Sequence, residues 1–197
     1  NTQEFRALAG KANITLEDSE LQQQAIREYY RRVLPRSILQ KLDLARLVSL
    51  TDSSFLYAEL AASEVFRTGC LDLKDAPYGL AERLEKERLR IERGPLPIAS
   101  ATRILGTLAI HQRKPTLDEI SRFSDTEPAE VLRFFAEHEH LFLMQPHTQH
   151  RPSAQVLGFK HAEIYRHLVK TLLQNEGLRR AHDRLVAAYV MHCPIHD

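Results

Sequence analysis

Residues 116–173 read TLDEISRFSDTEPAEVLRFFAEHEHLFLMQPHTQHRPSAQVLGFKHAEIYRHLVKTLL. Thr116 and Glu119 have the spacing of a capping box, in which each side chain satisfies a backbone amide at the start of a helix. A turn at residues 124–126 separates this helix from a second one that begins near Pro128. Strand-like runs at 141–144 and 155–159 then bracket a polar segment. With the helix that begins at His161, this order predicts a winged helix.

The chain on either side of this stretch shows helical periodicity. Pro35, Gly69 and the run Gly94-Pro95-Leu96-Pro97 interrupt it. The apolar spacing predicts helices over residues 19–34, 38–50, 55–66, 78–92 and 99–112, and two closing helices over 161–174 and 178–190. The fold class is therefore mainly α: a helical bundle over 14–93, then a winged-helix domain with a small β-wing over 94–197. Residues 1–13 stand apart from both.

Composition limits the class of protein. The chain has 197 residues, of which 43% are hydrophobic and 27% charged, as in a globular protein. No apolar run approaches the ~18 residues of a membrane span, so we expect a cytoplasmic protein without a membrane partner. Cys70 and Cys193 lack the spacing of a redox or zinc motif.

The charge of the helix-turn-helix disfavours nucleic acid. A helix that enters the major groove needs cationic or amide side chains near its start, but Glu127, Pro128, Ala129 and Glu130 stand there. Two cations, Arg122 and Arg133, face seven acids between residues 116 and 140, which gives 2 − 7 = −5. The acids are Asp118, Glu119, Asp125, Glu127, Glu130, Glu137 and Glu139.

Catalytic and metal motifs are absent from the sequence. There is no GxSxG elbow, and Gly10-Lys11 is followed by Ala12, so it does not form a P-loop. Among the histidines, we expect His138 and His140 to lie on different helical faces, and the six-residue separation of His161 from His167 does not suit a chelating pair. The sequence therefore predicts no catalytic residue and no metal ligand.

His161 is the candidate binding residue. It follows an apolar strand and opens a helix, where a ring nitrogen can point at an anion in a neighbouring cleft. The alternative is that His161 simply caps its own helix.

Four segments resemble the part of a STAND-class, NACHT-type signalling NTPase, a relative of the AAA+ ATPases, that follows the nucleotide-binding core. TDSSFLYAEL (51–60) is similar to the family's G-N-F-L-Y-A helix start, and APYGL (76–80) resembles its L-P-x-G-L turn. LGTLA (105–109) with PTLDEI (115–120) resembles the beginning of its winged-helix domain. FKHAEIYRHL (159–168) is similar to its F-x-H-x-x-F-x-x-F/L segment.

The resemblance implies a function. Residues 1–13 would be the remnant of the nucleotide-binding core, 14–93 the helical lid, and His161 the histidine that contacts the β-phosphate of ADP. Phe55 would lie on the adenine side, where many relatives have a proline. The lid and winged helix would clamp ADP at rest and rearrange on ATP exchange, which permits oligomerisation of the parent protein and immune or other signal transduction.

The expected partner is the nucleotide-binding core of the same or a parent polypeptide. ATP and ADP would bind in that parent, whereas this chain alone would neither bind nucleotide tightly nor hydrolyse it, because it has no P-loop or acidic Mg²⁺ motif. A stand-alone winged-helix adaptor for protein interaction is the alternative, and a DNA-binding winged-helix regulator is the third.

Overall fold

The structure is a computed structural model, and it describes residues 19–111, 114–146 and 155–192. The chain divides into two compact units, the first ending at Arg83 and the second beginning at Leu84. This division falls inside a helix, whereas the sequence predicts the domain boundary at Gly94. The predicted limits 1–13, 14–93 and 94–197 stay a prediction, and the 1–13 segment lies outside the described residues.

In the first unit, the regular structure of the described residues, which begin at Ser19, is helical. Its elements are α1 (Ser19–Val33), α2 (Arg36–Leu39), α3 (Leu44–Leu50), α4 (Phe55–Thr68) and the beginning of α5 (Gly79–Glu92). The single helix predicted over 38–50 is wrong. Asp43 interrupts it, because its side chain accepts a hydrogen bond from the Arg46 amide at 3.0 Å and so starts a new helix, α3.

Helix α4 is the centre of the first unit's core. Ser54 caps its beginning by accepting from the Tyr57 amide at 3.2 Å, and Gly69 ends it with a φ of 75°. The prediction of this helix and of its glycine cap is confirmed. The buried core residues are Ile26, Tyr30, Leu34, Leu47, Val48, Tyr57, Ala58, Ala61, Ala62 and Val65.

Residues 78–92 carry many charged side chains around an apolar stripe, which predicts a half-exposed helix with its charges in solvent. Arg83 on α5 is nevertheless fully buried. Its guanidinium donates to the Glu64 carboxylate at 2.5 Å and to the Leu60 carbonyl oxygen at 2.8 Å. It also lies over the Tyr57 ring, 5.9 Å from the centroid. These partners explain the error: periodicity cannot show that a charged side chain has buried partners.

The second unit combines helices with a small sheet. After the end of α5 come α6 (Ile98–Ile110), α7 (Leu117–Ser124), α8 (Pro128–Glu137), β1 (Phe142–Pro146), β2 (Gln155–Phe159), α9 (Ala162–Leu168) and α10 (Gln174–His192). The described part of the chain is thus mainly helical with a two-stranded antiparallel sheet, which confirms the fold class at that level. The predicted end of α6 at Gln112 lies outside the described residues.

The turn between α7 and α8 is held by its own side chains. The predicted capping box at Thr116 and Glu119 is confirmed, with both reciprocal hydrogen bonds present. Asp125 ends α7 in the left-handed conformation with a φ of 51°. The Ser121 hydroxyl then donates to the Thr126 carbonyl oxygen at 2.7 Å. These contacts make a tight turn between two short helices.

The hairpin pairs Phe142 with Phe159 and Pro146 with Gln155. The Leu157 amide also donates to the Pro115 carbonyl oxygen at 2.9 Å, which ties β2 to the residues just before α7. Residues 147–154, the predicted wing with His147 and His150, lie outside the described residues.

A π-helical segment, Val169–Leu173, joins α9 to α10. The sequence predicts two closing helices, the first ending at Gln174 and the second beginning at Leu178. The structure has the break at Gln174, whose φ of 52° and ψ of −177° are not helical, but α10 begins there rather than at residue 178. This backbone conformation costs a non-glycine residue on the order of 1–3 kcal/mol.

Gly106 permits a close approach of α6 and α10. A Cβ atom at this position would lie 2.9 Å from the Ala181 Cβ and 3.6 Å from Leu173 Cδ2. The Ala181 Cβ is attached directly to a helical backbone, so it cannot move aside as a flexible side chain would. The glycine therefore sets the packing distance between these helices.

We expect Gly106→Ala to lower the free energy of unfolding by about 1 kcal/mol, measured by urea denaturation. Alanine favours the helix by about 1 kcal/mol, but overpacking costs roughly 1–3 kcal/mol. In a double-mutant cycle with Ala181→Gly, the pair should be less destabilised than the sum of the single changes. Additive effects would contradict the steric explanation.

We expect Tyr57→Phe to reduce the loss of stability at alkaline pH. Burial raises the pKa of Tyr57 from 10.0 to about 12. The folded protein therefore holds this proton when the unfolded chain has lost it, and the stabilisation present below pH 10 disappears as the pH rises to about 12. In that pH interval the unfolding free energy of the wild-type protein should fall by up to ~1.4 kcal/mol per pH unit through the ionisation of Tyr57.

The measurement is the free energy of unfolding in urea, followed by circular dichroism at several pH values. Below pH 10, Tyr57→Phe should cost about 1 kcal/mol, because the Tyr57 hydroxyl donates to the Pro77 carbonyl oxygen at 2.5 Å. Above pH 10 the variant should lose stability more slowly than wild type. If the unfolding free energies of wild type and variant fell in parallel above pH 10, Tyr57 would not be the group that titrates.

Candidate functional site

His161 lies at the junction of β2 and α9. It is the residue immediately before α9, its backbone is extended with a φ of −134°, and its side chain is partly buried. The neighbouring Lys160 amide donates to the Leu141 carbonyl oxygen at 3.0 Å, which fixes the end of the hairpin. The sequence predicts a helix that begins at His161, and the structure begins it one residue later, at Ala162, with His161 as its N-cap residue.

A series of aromatic rings holds this junction in place. Phe135 contacts Phe142 at a centroid distance of 5.0 Å, Phe142 contacts Phe159 at 5.4 Å, and Phe159 contacts Tyr165 at 5.4 Å. The first and last of these contacts are edge-to-face, a favourable geometry for aromatic pairs. The packing extends from α8 through both strands to α9, so the backbone around His161 is supported on both sides.

The alternative for His161 is that it caps its own helix. It occupies the N-cap position of α9, where its carbonyl oxygen accepts from the Tyr165 amide at 3.2 Å, although its side chain makes no capping hydrogen bond. The predicted contact of His161 with an ADP phosphate stays a prediction.

Phe55, the other predicted nucleotide contact, lies in the first unit. It is the first residue of α4, and 48% of its surface is exposed. The Ser54 cap fixes the backbone at this helix start. A half-exposed aromatic ring at a fixed position has the surface on which a flat base could stack. The adenine contact itself stays a prediction.

The sequence predicts that His138 and His140 lie on different faces of a helix, and this prediction is wrong. Both follow the end of α8, and both are buried, with 4% and 7% of their surfaces exposed. His140 Nε2 lies 2.8 Å from Glu87 Oε2, and Arg90 donates to the same oxygen at 2.7 Å. This buried group of α5 and the α8–β1 turn was missed, because residues 87 and 140 are far apart in sequence.

His167 faces a second carboxylate of α5. Its Nε2 lies 3.5 Å from Glu85 Oε2, within ion-pair range but too long for a good hydrogen bond. The hydrogen bond from Arg88 lowers the pKa of Glu85, and the nearby His167 lowers it further. Two acids of α5 therefore face histidines: Glu85 faces His167, and Glu87 faces His140. The sequence alone suggests these histidines only as candidate metal ligands.

The described residues include no group of three or more His, Cys, Asp or Glu side chains placed to hold a metal ion. Cys70 is an exposed free thiol, and Cys193 lies outside the described part of the chain. Among the helices that the structure describes, none has the length and apolar character needed to cross a membrane.

Comparison with known protein families, with curated proteins and with solved structures found no match for this chain.

We expect Glu87→Gln to lower the free energy of unfolding by about 1.5–3 kcal/mol, since it weakens hydrogen bonds to a charged group. The cost should stay below that of a fully isolated buried charge, because 24% of the Arg90 side chain is exposed. Glu92→Gln is the matched control: its carboxylate pairs with Arg88 at a more exposed site and should cost below ~1 kcal/mol. Equal losses of unfolding free energy for the two variants in urea would contradict the assignment of Glu87 as a buried, hydrogen-bonded charge.

Proposed function

We propose that this chain is the helical lid and winged-helix portion of a STAND-class, NACHT-type NTPase, which clamps ADP at rest and rearranges on exchange to ATP. The observation that carries the proposal is the order of elements around His161. A helix-turn-helix, a two-stranded hairpin and a further helix follow one another, and His161 lies between the last strand and that helix. The winged-helix assignment belongs to this proposal.

The residues that resemble the family have suitable surroundings. His161 is the N-cap residue of α9, and the packing of Phe159 against Tyr165 holds its backbone in place. Phe55 projects a half-exposed ring from the capped start of α4. An imidazole N–H can donate to a phosphate oxygen, and an aromatic ring can cover one side of a base. These two residues are the proposed nucleotide contacts.

In the proposed cycle the nucleotide selects between two arrangements of the parent protein. ADP favours the arrangement in which His161 contacts its β-phosphate, whereas ATP makes different contacts and favours release. A ligand shifts such an equilibrium only by its difference in affinity for the two states. Phosphoryl transfer needs groups that hold Mg²⁺ and the γ-phosphate. The nucleotide-binding core of the parent would supply them.

A second candidate, a stand-alone winged-helix adaptor, is favoured by the surface of α8. Leu132 is 42% exposed on this helix, whose exposed side chains also include the acids Glu127 and Glu137 and the cation Arg133. The excess of acids over residues 116–140 suits a protein partner better than a phosphate backbone. An adaptor would bind a partner as an isolated chain, whereas a lid binds mainly its own core. The DNA-binding regulator has only the helix order in its favour.

The intact mass and terminal sequences of the natural gene product should be determined first, and then its affinity for ADP by calorimetry. In that full-length protein, His161→Ala should raise the ADP dissociation constant about 10- to 150-fold. This follows because a hydrogen bond to a charged group contributes ~1.5–3 kcal/mol. His182→Ala is the matched control, since His182 is 67% exposed on α10.

Unchanged ADP affinity in His161→Ala would remove the phosphate contact from the proposal. A natural product that has no nucleotide-binding core and does not bind one would overturn the proposal and favour the adaptor.

A further inference from the structure

Arginines of two helices meet where α6 and α10 approach each other closely. A Cβ atom at Gly106 would lie 2.9 Å from the Ala181 Cβ and 3.9 Å from Arg184 Nη2, so the Arg184 guanidinium lies beside the glycine of α6. Arg103 precedes Gly106 by one helical turn on α6, and Arg180 precedes Arg184 by one turn on α10. Residues three or four apart share a helical face. We call Arg103, Arg180 and Arg184 the arginine cluster.

The charge of Arg184 has unfavourable surroundings. The residue is partly buried, and its Nε lies in the interior without a hydrogen-bond partner among the described residues. Burial lowers the pKa of Arg184 below its ordinary value, and the neighbouring charges of Arg103 and Arg180 lower it further. Arg83 of the first unit is different, because its guanidinium has a carboxylate and a carbonyl oxygen as acceptors. A buried cation beside two others is stabilised when an anion joins them.

The other two arginines keep donors for a ligand. Arg103 donates from Nε to the Ser124 carbonyl oxygen at 2.8 Å and from Nη2 to the Ser100 hydroxyl at 3.1 Å. These bonds position its guanidinium and use only part of its N–H donors. Arg180 pairs with Glu176 one turn earlier on α10, but both side chains are largely exposed, so the pair contributes little. Arg180 can therefore turn to a ligand without a large loss.

The chemistry of the cluster defines the ligand. Each guanidinium presents its N–H donors in a planar fork that matches the oxygens of a carboxylate or a phosphate. A carboxylate has two oxygens and one negative charge. A phosphate monoester has three free oxygens and a charge of about −1.5 to −2 at neutral pH. A phosphate group can therefore accept from several arginines at once and offset more of their repulsion.

We propose that Arg103, Arg180 and Arg184 form a binding site for a phosphate group, supplied by inorganic phosphate or by a small phosphate ester. The terminal guanidinium nitrogens are the donors. Neither His161 nor Phe55 belongs to this site, so the inference goes beyond the proposed function and does not depend on it.

A phosphate titration of the full chain, followed by NMR, tests the site directly. The arginine Nε–H resonances of the labelled protein report on individual guanidinium groups, and triple-resonance spectra assign that of Arg184. Sodium phosphate, added at constant ionic strength, should shift this resonance with a dissociation constant on the order of 1 mM or below, which two charge-assisted hydrogen bonds can supply. Sodium acetate should bind at least tenfold more weakly.

Glycerol 2-phosphate, titrated in the same way, distinguishes the two sources of the phosphate group. Tighter binding than that of inorganic phosphate would assign the site to phosphate esters, and weaker binding would assign it to the free ion. Both results would support a phosphate site.

Thermal unfolding gives the measurement for the variants, because a ligand that binds only the folded state raises the melting temperature. Arg184→Gln should raise the dissociation constant for phosphate about tenfold or more, and so lose most of the rise in melting temperature. Arg180→Gln should have a smaller effect, since its guanidinium is not held in place. Arg103 is left unchanged, because its bonds to Ser100 and Ser124 support the fold. Circular dichroism in chloride checks that each variant is folded.

Two controls separate this site from other effects of phosphate. Arg179→Gln removes the same charge from an exposed residue of α10, five residues from Arg184 and therefore on another side of the helix. It should respond to phosphate like wild type. His161→Ala should leave the titration of Arg184 unchanged, which distinguishes this site from the proposed ADP contact.

The proposal is overturned if phosphate does not shift the Arg184 resonance, if acetate binds as tightly as phosphate, or if His161→Ala abolishes the titration. It is also overturned if phosphate raises the melting temperatures of Arg184→Gln and Arg179→Gln equally. An equal rise would be the general stabilisation that phosphate salts give to folded proteins.

Discussion

Arg83 and Glu87 of α5 are buried charges, and each constrains the side chains of the unit in which it lies. Each would cost several kcal/mol in an apolar interior without partners. Arg83 has Glu64, the Leu60 carbonyl oxygen and the Tyr57 ring in the first unit. Glu87 has Arg90 and His140 in the second. Apolar residues could stabilise the helix equally well, but directed hydrogen bonds permit fewer rotations and shifts along its axis.

Local chemistry determined which parts of the fold were predictable from the sequence. The capping box at Thr116, the serine cap of α4 and the glycine that ends it act on neighbouring residues, so their short-range spacing predicts the outcome. The break at Asp43 is also local, but the apolar residues on both sides of it fit one continuous helix. Hydrophobic periodicity hides such a break, because a single capping side chain can outweigh it.

The π-helical segment and the buried charges could not be read from spacing. The apolar pattern around residues 169–174 is compatible with an ordinary helix, and only packing around it determines that the helix widens. Gly106 illustrates the same limit, because the need for a glycine there comes from the close approach of Ala181, which is far along the chain. Likewise the burial of Glu87 and His140 depends on contacts that form only when α5 and the α8–β1 turn pack together.

For the candidate site, sequence reasoning located the position of His161 but not its surroundings. A polar residue between an apolar strand and a helix has a local signal, and the junction lies where that signal predicts. Its support by Phe159 and Tyr165 also follows from short spacing, whereas the contribution of Phe142 requires the hairpin register. The proposed nucleotide role of His161 depends on groups that the sequence of this chain does not contain.

The helix-turn-helix geometry presents α8 outward, and side-chain charge determines what that helix can bind. The same framework could place a helix against DNA or against protein, since both need an exposed helix on a rigid support. Here the support comes from Phe134 and Phe135 beneath the helix, while Leu132, Arg133 and Glu137 are exposed. Seven acids against two cations over residues 116–140 would repel a phosphate backbone. The charges of this segment therefore disfavour DNA, and a protein partner for α8 stays a proposal.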